Sequence, residues 1–464
     1  MMRPTISASL RRSALALQRA RRAFGLNRIA LAVARAPLLS AILFAAILSF
    51  SIAAFAQAPA NSPQAIVLRG GKLLTITHGV IENGALVMEN GRITAVGPAA
   101  SVQAPAGATI IDVQGMTVYP GLIDSETQLG LTEISADQMT NDLLEPSDEI
   151  FPNLHVADAF HAESTLIPIT RVNGITNAIV APGERDTLPG QDAFIQLDGR
   201  IASDMLLIRD IALPLNFTGE QRRNESWEKA KFPFTRMGMA AQLRQALLDA
   251  QDYERKLDRW KKKGDNGEPF KHDLKLAALL PYLHGERPVV LAAEDPSDLE
   301  TAMSVAREFH LKVILNHLAH TAEALDYVAS LKLPVIVGPI YEEPKETERY
   351  DAVFRLPAEL YQRGVKIAFA SYDAHNARNL PYAAGYAVAY GLPYDEALKA
   401  LTLNPAEIWG VADQYGSLDV GKMANVVVAD GDPLDVKADV KMVFIQGRQT
   451  SMETRQKRLY EQYK

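Results

Sequence analysis

The sequence predicts an α/β fold: a (β/α)₈ barrel with a small β domain made from both chain ends. Three observations carry this. Residues 65–118 read as short strands with no helix-period segment among them. From Tyr119 onward, apolar strand-like runs alternate with amphipathic segments, the pattern of a parallel sheet covered by helices. After Trp409 short strands return, and two β pieces flanking a barrel can join because chain ends commonly lie close together.

The chain has 464 residues, 48% hydrophobic and 22% charged, a globular composition. Residues 1–56 stand apart, with eight arginines and no Asp, Glu or Lys. They end in the apolar run Ala36 to Ala56 and an Ala54-Phe55-Ala56 terminus. A basic region, an apolar core and an A-x-A end make a secretory signal, so residues 1–56 read as a signal peptide and 57–64 as a linker. Export to the periplasm or medium follows, and an uncleaved signal would be the chain's membrane attachment. Without those eight arginines, 40 basic residues face 55 acids, a net charge of −15. That charge argues against nucleic acid as a partner. With no cysteine, disulfides, thiolate metal sites and lipid attachment through a lipobox are excluded.

Within residues 65–118, Asn90-Gly91 is a two-residue hairpin signal. Barrel strands are expected at Leu122-Ile123, Ile175 to Val180, Val289 to Ala292, Val313 to Leu315, Val335 to Gly338 and Val365 to Ala370. Helices are expected at Pro296 to Phe309, Thr321 to Leu331, Pro357 to Arg363, Tyr394 to Leu401 and Pro405 to Trp409. Residues 216–272 are highly charged and helical in pattern, and read as an inserted helical arm with a loop, either a lid over one barrel end or a solvated arm. The barrel is assigned to 119–410, the β domain to 65–118 plus 411–450, and 451–464 is a tail. No G-x-S-x-G elbow, P-loop or H-E-x-x-H is present.

Several phrases resemble the amidohydrolase superfamily, in the branch of imidazolonepropionase-like and prolidase-like exported enzymes. They are Val118-Tyr119-Pro120-Gly121-Leu122-Ile123-Asp124, Gly174-Ile175-Thr176-Asn177, Pro189-Gly190-Gln191 with Leu197-Asp198-Gly199, and the segment His375 to Pro381. Leu403-Asn404-Pro405-Ala406 and Gly416-Ser417-Leu418 with Gly421-Lys422 complete the set. The resemblance implies a TIM barrel, a composite β-sandwich, and hydrolysis of amide, imide or dipeptide C–N bonds. It also implies one or two divalent metals at the C-terminal mouth, where zinc lowers the pKa of its water and polarises the carbonyl.

The chain departs from that family where the ligands belong. Glu126 and Gln128 stand at the two histidines after strand 1, and Ala292 stands where strand 5 would supply another. Glu126 and His317 remain as candidate ligands for one divalent metal, zinc or similar, if any is bound. Asp373 is the candidate proton carrier. His375, Arg378 and Glu294 are candidate substrate-binding residues, although an ion pair or a helix cap would explain them as well. His320, and the set His155, Asp158 and His161, are weaker ligand candidates. Two functional expectations follow: a hydrolase of small amide or dipeptide-like molecules with an altered site, or an inactive barrel that binds a small ligand or partners an intact relative. Either form can assemble as a homo-oligomer or a hetero-oligomer.

Overall fold

The computed structural model describes residues 65–218, 232–263, 269–318, 324–341, 343 and 349–464. The expected signal and linker, His320 and part of 216–272 lie outside the described residues. Five strands open the described chain: β1 (Ile66–Leu74), β2 (Val80–Glu89), β3 (Arg92–Pro98), β4 (Thr109–Asp112) and β5 (Thr117–Pro120). Eight barrel strands follow: β6 (Leu122–Thr127), β7 (Ile175–Val180), β8 (Asp192–Gln196), β9 (Leu206–Asn216), β10 (Val289–Ala292), β11 (Val313–Asn316), β12 (Val335–Val337) and β13 (Ile367–Phe369). The last three are β14 (Val426–Ala429), β15 (Val440–Ile445) and β16 (Arg448–Gln449).

Both chain ends join in one hydrogen-bonded sheet of order β16-β15-β14-β5-β1-β2-β3, with β4 also on β1. β1 splits its partners, using Ile66 to Arg69 for β4 and Lys72-Leu73 for β5. Leu68, Met88, Val118, Val426 and Phe444 pack together as the core of this sheet. The β2–β3 turn falls at Asn90-Gly91, both at positive φ, as a type I′ hairpin turn requires.

The second sheet runs β13-β12-β11-β10-β9-β8-β7-β6. Its neighbours are parallel except around β8, which is antiparallel to both β7 and β9. The expected run of βα units is therefore interrupted by a β7-β8-β9 meander. Its consequence is local: β8 begins at the end of the barrel where the parallel strands finish. The two ends of the sheet order are joined by Ser371 and Tyr372, described below. Ile123, Ile179, Phe194, Val290, Ile314 and Ile336 fill the interior, with Trp409 and Tyr415 in the same apolar cluster.

The helices around the barrel are α1 (Arg236–Lys263), α2 (Leu274–Leu283), α3 (Pro296–Glu308), α4 (Leu325–Leu331), α5 (Ala352–Gln362), α6 (Leu380–Ala389), α7 (Tyr394–Ala400) and α8 (Leu403–Ile408), with α9 (Arg455–Tyr463) in the tail. Within 216–272, the described residues of α1 pack into the barrel wall. Its Leu243, Leu247, Ala250 and Tyr253 are buried, the first three in the main core, and the helix packs on α2 and α3. It is a long barrel-wall helix whose last turn, with Lys261, Lys262 and Lys263, is exposed.

Gly121 links the β sheet to the barrel, donating its N–H to Asn425 O at 2.9 Å. A Cβ there would lie 2.1 Å from Thr176 Oγ1 and within 2.7 Å of Thr176 Cβ. No Thr176 rotamer relieves the second clash. Gly121→Ala is expected to lower stability by about 1–3 kcal/mol, the usual cost of overpacking. Denaturant unfolding of both proteins measures it.

Candidate active site

The site lies at the C-terminal end of the barrel, built from the ends of β6 and β11, the loop after β7, and the start of β8. On β11 the apolar Ile314 points inward, so Asn316, two residues on, takes the next layer toward the mouth. Ala292 of β10 pairs in register with Asn316 and with Asn216 of β9, and the three share that layer. On β6 the register breaks between Asp124 and Thr127, and Glu126 meets this layer. The Asn316 amide donates to Glu126 Oε2.

His317 follows Asn316 with φ +50°, and Tyr372 faces it with φ +52°. Left-handed backbone is uncommon for side chains of this size, and such residues concentrate at functional sites. Their rings pack with centroids 4.0 Å apart. His317 Nε2 lies 2.9 Å from Glu184 Oε1 and 3.8 Å from Glu126 Oε1. Both are ion-pair contacts that lack the alignment of a hydrogen bond. Glu126 and His317 are buried, and Glu184 is half-buried at the outer side.

Burial alone would lower the His317 pKa, but Glu184 and Glu126 outweigh it and push the imidazole up to about 10. His317 is therefore an imidazolium at neutral pH. Burial pushes Glu126 upward, against the opposing pull of His317 and Asn316. Asp192 opens β8 at 1% exposure, with Oδ1 unbonded among the described residues, and burial, helped by the charge of Glu126, raises it well above the usual carboxylate range.

Asp124 holds the barrel seam. It accepts from Ser371 N at 2.9 Å and from Ser371 Oγ at 2.6 Å. Tyr372 N donates to Glu126 O at 3.0 Å, and Thr127 Oγ1 to Asp373 O at 2.8 Å. Burial raises Asp124 to about 7, against the pull of the Ser371 donors.

The structure thus brings Glu126 and His317 together, as an ion pair. The Asp373 carboxylate is used elsewhere: it accepts the backbone N–H groups of His375 and Asn376 in a local turn and is 42% exposed. His375 sits beside it, half-exposed, with Nδ1 3.9 Å from Asp373 Oδ1. Arg378 lies on the short helical turn before α6, and its carbonyl accepts from the Asn173 amide. Glu294 is half-buried just after β10. The His155, Asp158 and His161 set disperses: His155 pairs with Asp210, Asp158 with Arg209, and His161 with Asp142. Glu184, Asp192 and Asn316 are the site residues that sequence reasoning missed. An acid opening the apolar run DAFIQ was the available signal for Asp192.

The donor set does not fit the metal that the fold implies. One Glu126 oxygen is taken by the Asn316 amide, and the other faces His317 Nε2 at 3.8 Å. Ala292 offers no donor. Among the described residues, no group of three His, Cys, Asp or Glu side chains is placed to hold a metal ion.

The model of the Amidohydrolase family matches residues 292–450. Amidohydrolase tasK of Hapsidospora irregularis is 27% identical over 391 residues, 78% of this chain, and the matched region is 39% of tasK's own length. An imidazolonepropionase of Sphingopyxis alaskensis is 25% identical, covering 77% of this chain and 89% of that one. A crystal structure of an amidohydrolase from Thermotoga maritima superposes with a TM-score of 0.77 at 27% identity, covering 83% of this chain and 99% of that one. The family match, these relatives and the structural neighbour together support the amidohydrolase superfamily, whose members commonly bind divalent metals.

The titration of Asp124 has a defined sign. Its folded pKa is raised, so its contribution to stability is full below the ordinary value near 4 and is lost as pH rises through about 7. Asp124→Asn is expected to flatten the decline of unfolding free energy between pH 4 and 7, by on the order of a few kcal/mol. Denaturant titrations across that range check it.

Proposed function

We propose that this chain is an exported hydrolase that cleaves the C–N bond of a small amide, dipeptide-like or cyclic imide molecule at the barrel mouth, with proton transfers run by His317 and its carboxylates. The observation that carries this reading is the buried imidazolium, held between Glu126 and Glu184 at the end of the barrel where this fold places its reactive groups. A fixed N–H donor in a dry site stabilises the oxygen that gains negative charge as a carbonyl is attacked. Glu184, the more open of the two carboxylates, takes a proton from the attacking water. As the C–N bond breaks, that proton passes to the leaving nitrogen. Glu126 holds the imidazolium, and the buried Asp192 carboxyl, pushed upward by burial and by the charge of Glu126, stands at the start of β8.

Across a panel of dipeptides, N-acyl amino acids and cyclic imides, one class should be turned over. His317→Gln and Glu184→Gln should each lower kcat/KM by about 10²–10⁴, while Asp373→Asn changes it by roughly threefold or less, as expected of a group outside the chemistry. Unchanged rates in both of the first two variants would sink the assignment.

A second reading, an inactive partner of a metal-bearing relative, is favoured by one observation. Ala292 and Asn316 occupy the layer where the superfamily resemblance places ligands, and Asn316 is bonded to Glu126 instead. Absence of turnover across the whole panel, with co-purification of such a relative from native extract, would support it. Export rests on residues 1–56. N-terminal sequencing of the protein from its native host should read from Gln57, and an intact Met1 would contradict cleavage.

A further inference from the structure

A cavity of about 600 Å³ opens beside α6, where that helix meets the loop between β14 and β15. Its walls include Tyr341, Tyr382, Tyr386 and Tyr394, with Asp432 and Asp435, and no Lys or Arg among the described residues. None of these groups takes part in the chemistry proposed above.

The rings are held in place. Tyr341 and Tyr386 meet at 88° with centroids 6.3 Å apart, which makes two walls of a corner. Phe354 stacks on Tyr386 at 5.4 Å and so covers one of its faces. The Tyr394 hydroxyl donates to Asp432 Oδ1 at 2.8 Å, the Tyr382 hydroxyl bonds Asn173, and the Tyr341 hydroxyl points at Asn379 O at 3.4 Å. With those hydroxyls engaged, ring faces are what the cavity offers a ligand. Asp432 Oδ1 also accepts from Leu434 N, while Oδ2 accepts no hydrogen bond from the described residues.

Perpendicular aromatic walls with carboxylates and no base suit one class of guest. A cation with an apolar shell is attracted to ring faces and loses little hydration on entering. An anion meets two carboxylates there, and a hydrogen-bonding guest finds most of the hydroxyls already engaged. Lys72 and Lys399 line the neighbouring cavity across Tyr394 and Asp432, paired with Glu82 and Glu396.

We propose that this groove is a binding site for a quaternary alkylammonium group, gripped by the Tyr341–Tyr386 corner and by Asp432. Choline chloride is the probe, followed by calorimetry on the full chain at constant ionic strength. The neutral isostere 3,3-dimethylbutan-1-ol is the control. Saturable choline binding at one site is expected, with the isostere weaker by about tenfold or more and Tyr386→Leu weakening choline by about fivefold or more. Tyr386→Phe keeps the ring and should keep the affinity, which separates loss of the wall from loss of folding. Co-sedimentation with phosphatidylcholine but not phosphatidylglycerol vesicles would identify the cation as a lipid headgroup. Binding of free choline alone would identify a soluble ligand. Equal binding of the isostere, no saturable choline binding, or an unaffected Tyr386→Leu variant would each overturn the proposal. Because the readout is binding, it stands or fails independently of the hydrolase assignment.

Discussion

A cation buried in a protein interior must be matched by charge nearby, and His317 is matched by Glu126 and Glu184. Much of the barrel mouth follows from that pairing. Glu126 serves it through its carboxylate and serves barrel closure through its backbone carbonyl, which accepts from Tyr372 N. Tyr372 in turn packs its ring against His317. Glu126 and Tyr372 therefore join the two ends of the barrel sheet, and both also contact His317. Removing either carboxylate would leave the imidazolium undercompensated, a costly state in a low-dielectric site.

The same pairing distinguishes this mouth from one that holds a metal. A metal site needs several donors facing a shared point, with their lone pairs free. Here the donors face each other. Glu126 spends one oxygen on Asn316, His317 Nε2 lies against Glu126 and Glu184, and Ala292 leaves a gap in the layer. The remaining acids, Asp124 and Asp192, are buried and pushed upward, so they hold protons more tightly than ordinary carboxylates do.

The architecture was legible because it rests on periodicity. Apolar runs such as Ile175 to Val180 and Val289 to Ala292 became buried strands at nearly the expected bounds. The Asn90-Gly91 turn and the joining of both chain ends were legible for the same reason: turn chemistry and short apolar runs are local. The direction of β8 was not, because a strand's residues do not encode whether its neighbour runs with it or against it. The role of α1 was obscured by its polar last turns, which dominate the composition and hide Leu243, Leu247 and Ala250. At the site, Glu126 and His317 stood out by residue type and position. Glu184 did not, since a charged residue in the loop APGERD looks like any solvated one. Asp373 drew attention as an acid after the last barrel strand, but an Asp two residues before a turn N–H is equally suited to capping it, and that local bond prevailed.

The central claim is that a protonated histidine, held by carboxylates, stands where the superfamily holds a metal. Elemental analysis of the purified chain, with and without Glu126→Ala, tests it most directly. Far less than one divalent metal per chain, with no change on substitution, is the expected result. One metal per chain, lost with Glu126, would contradict it.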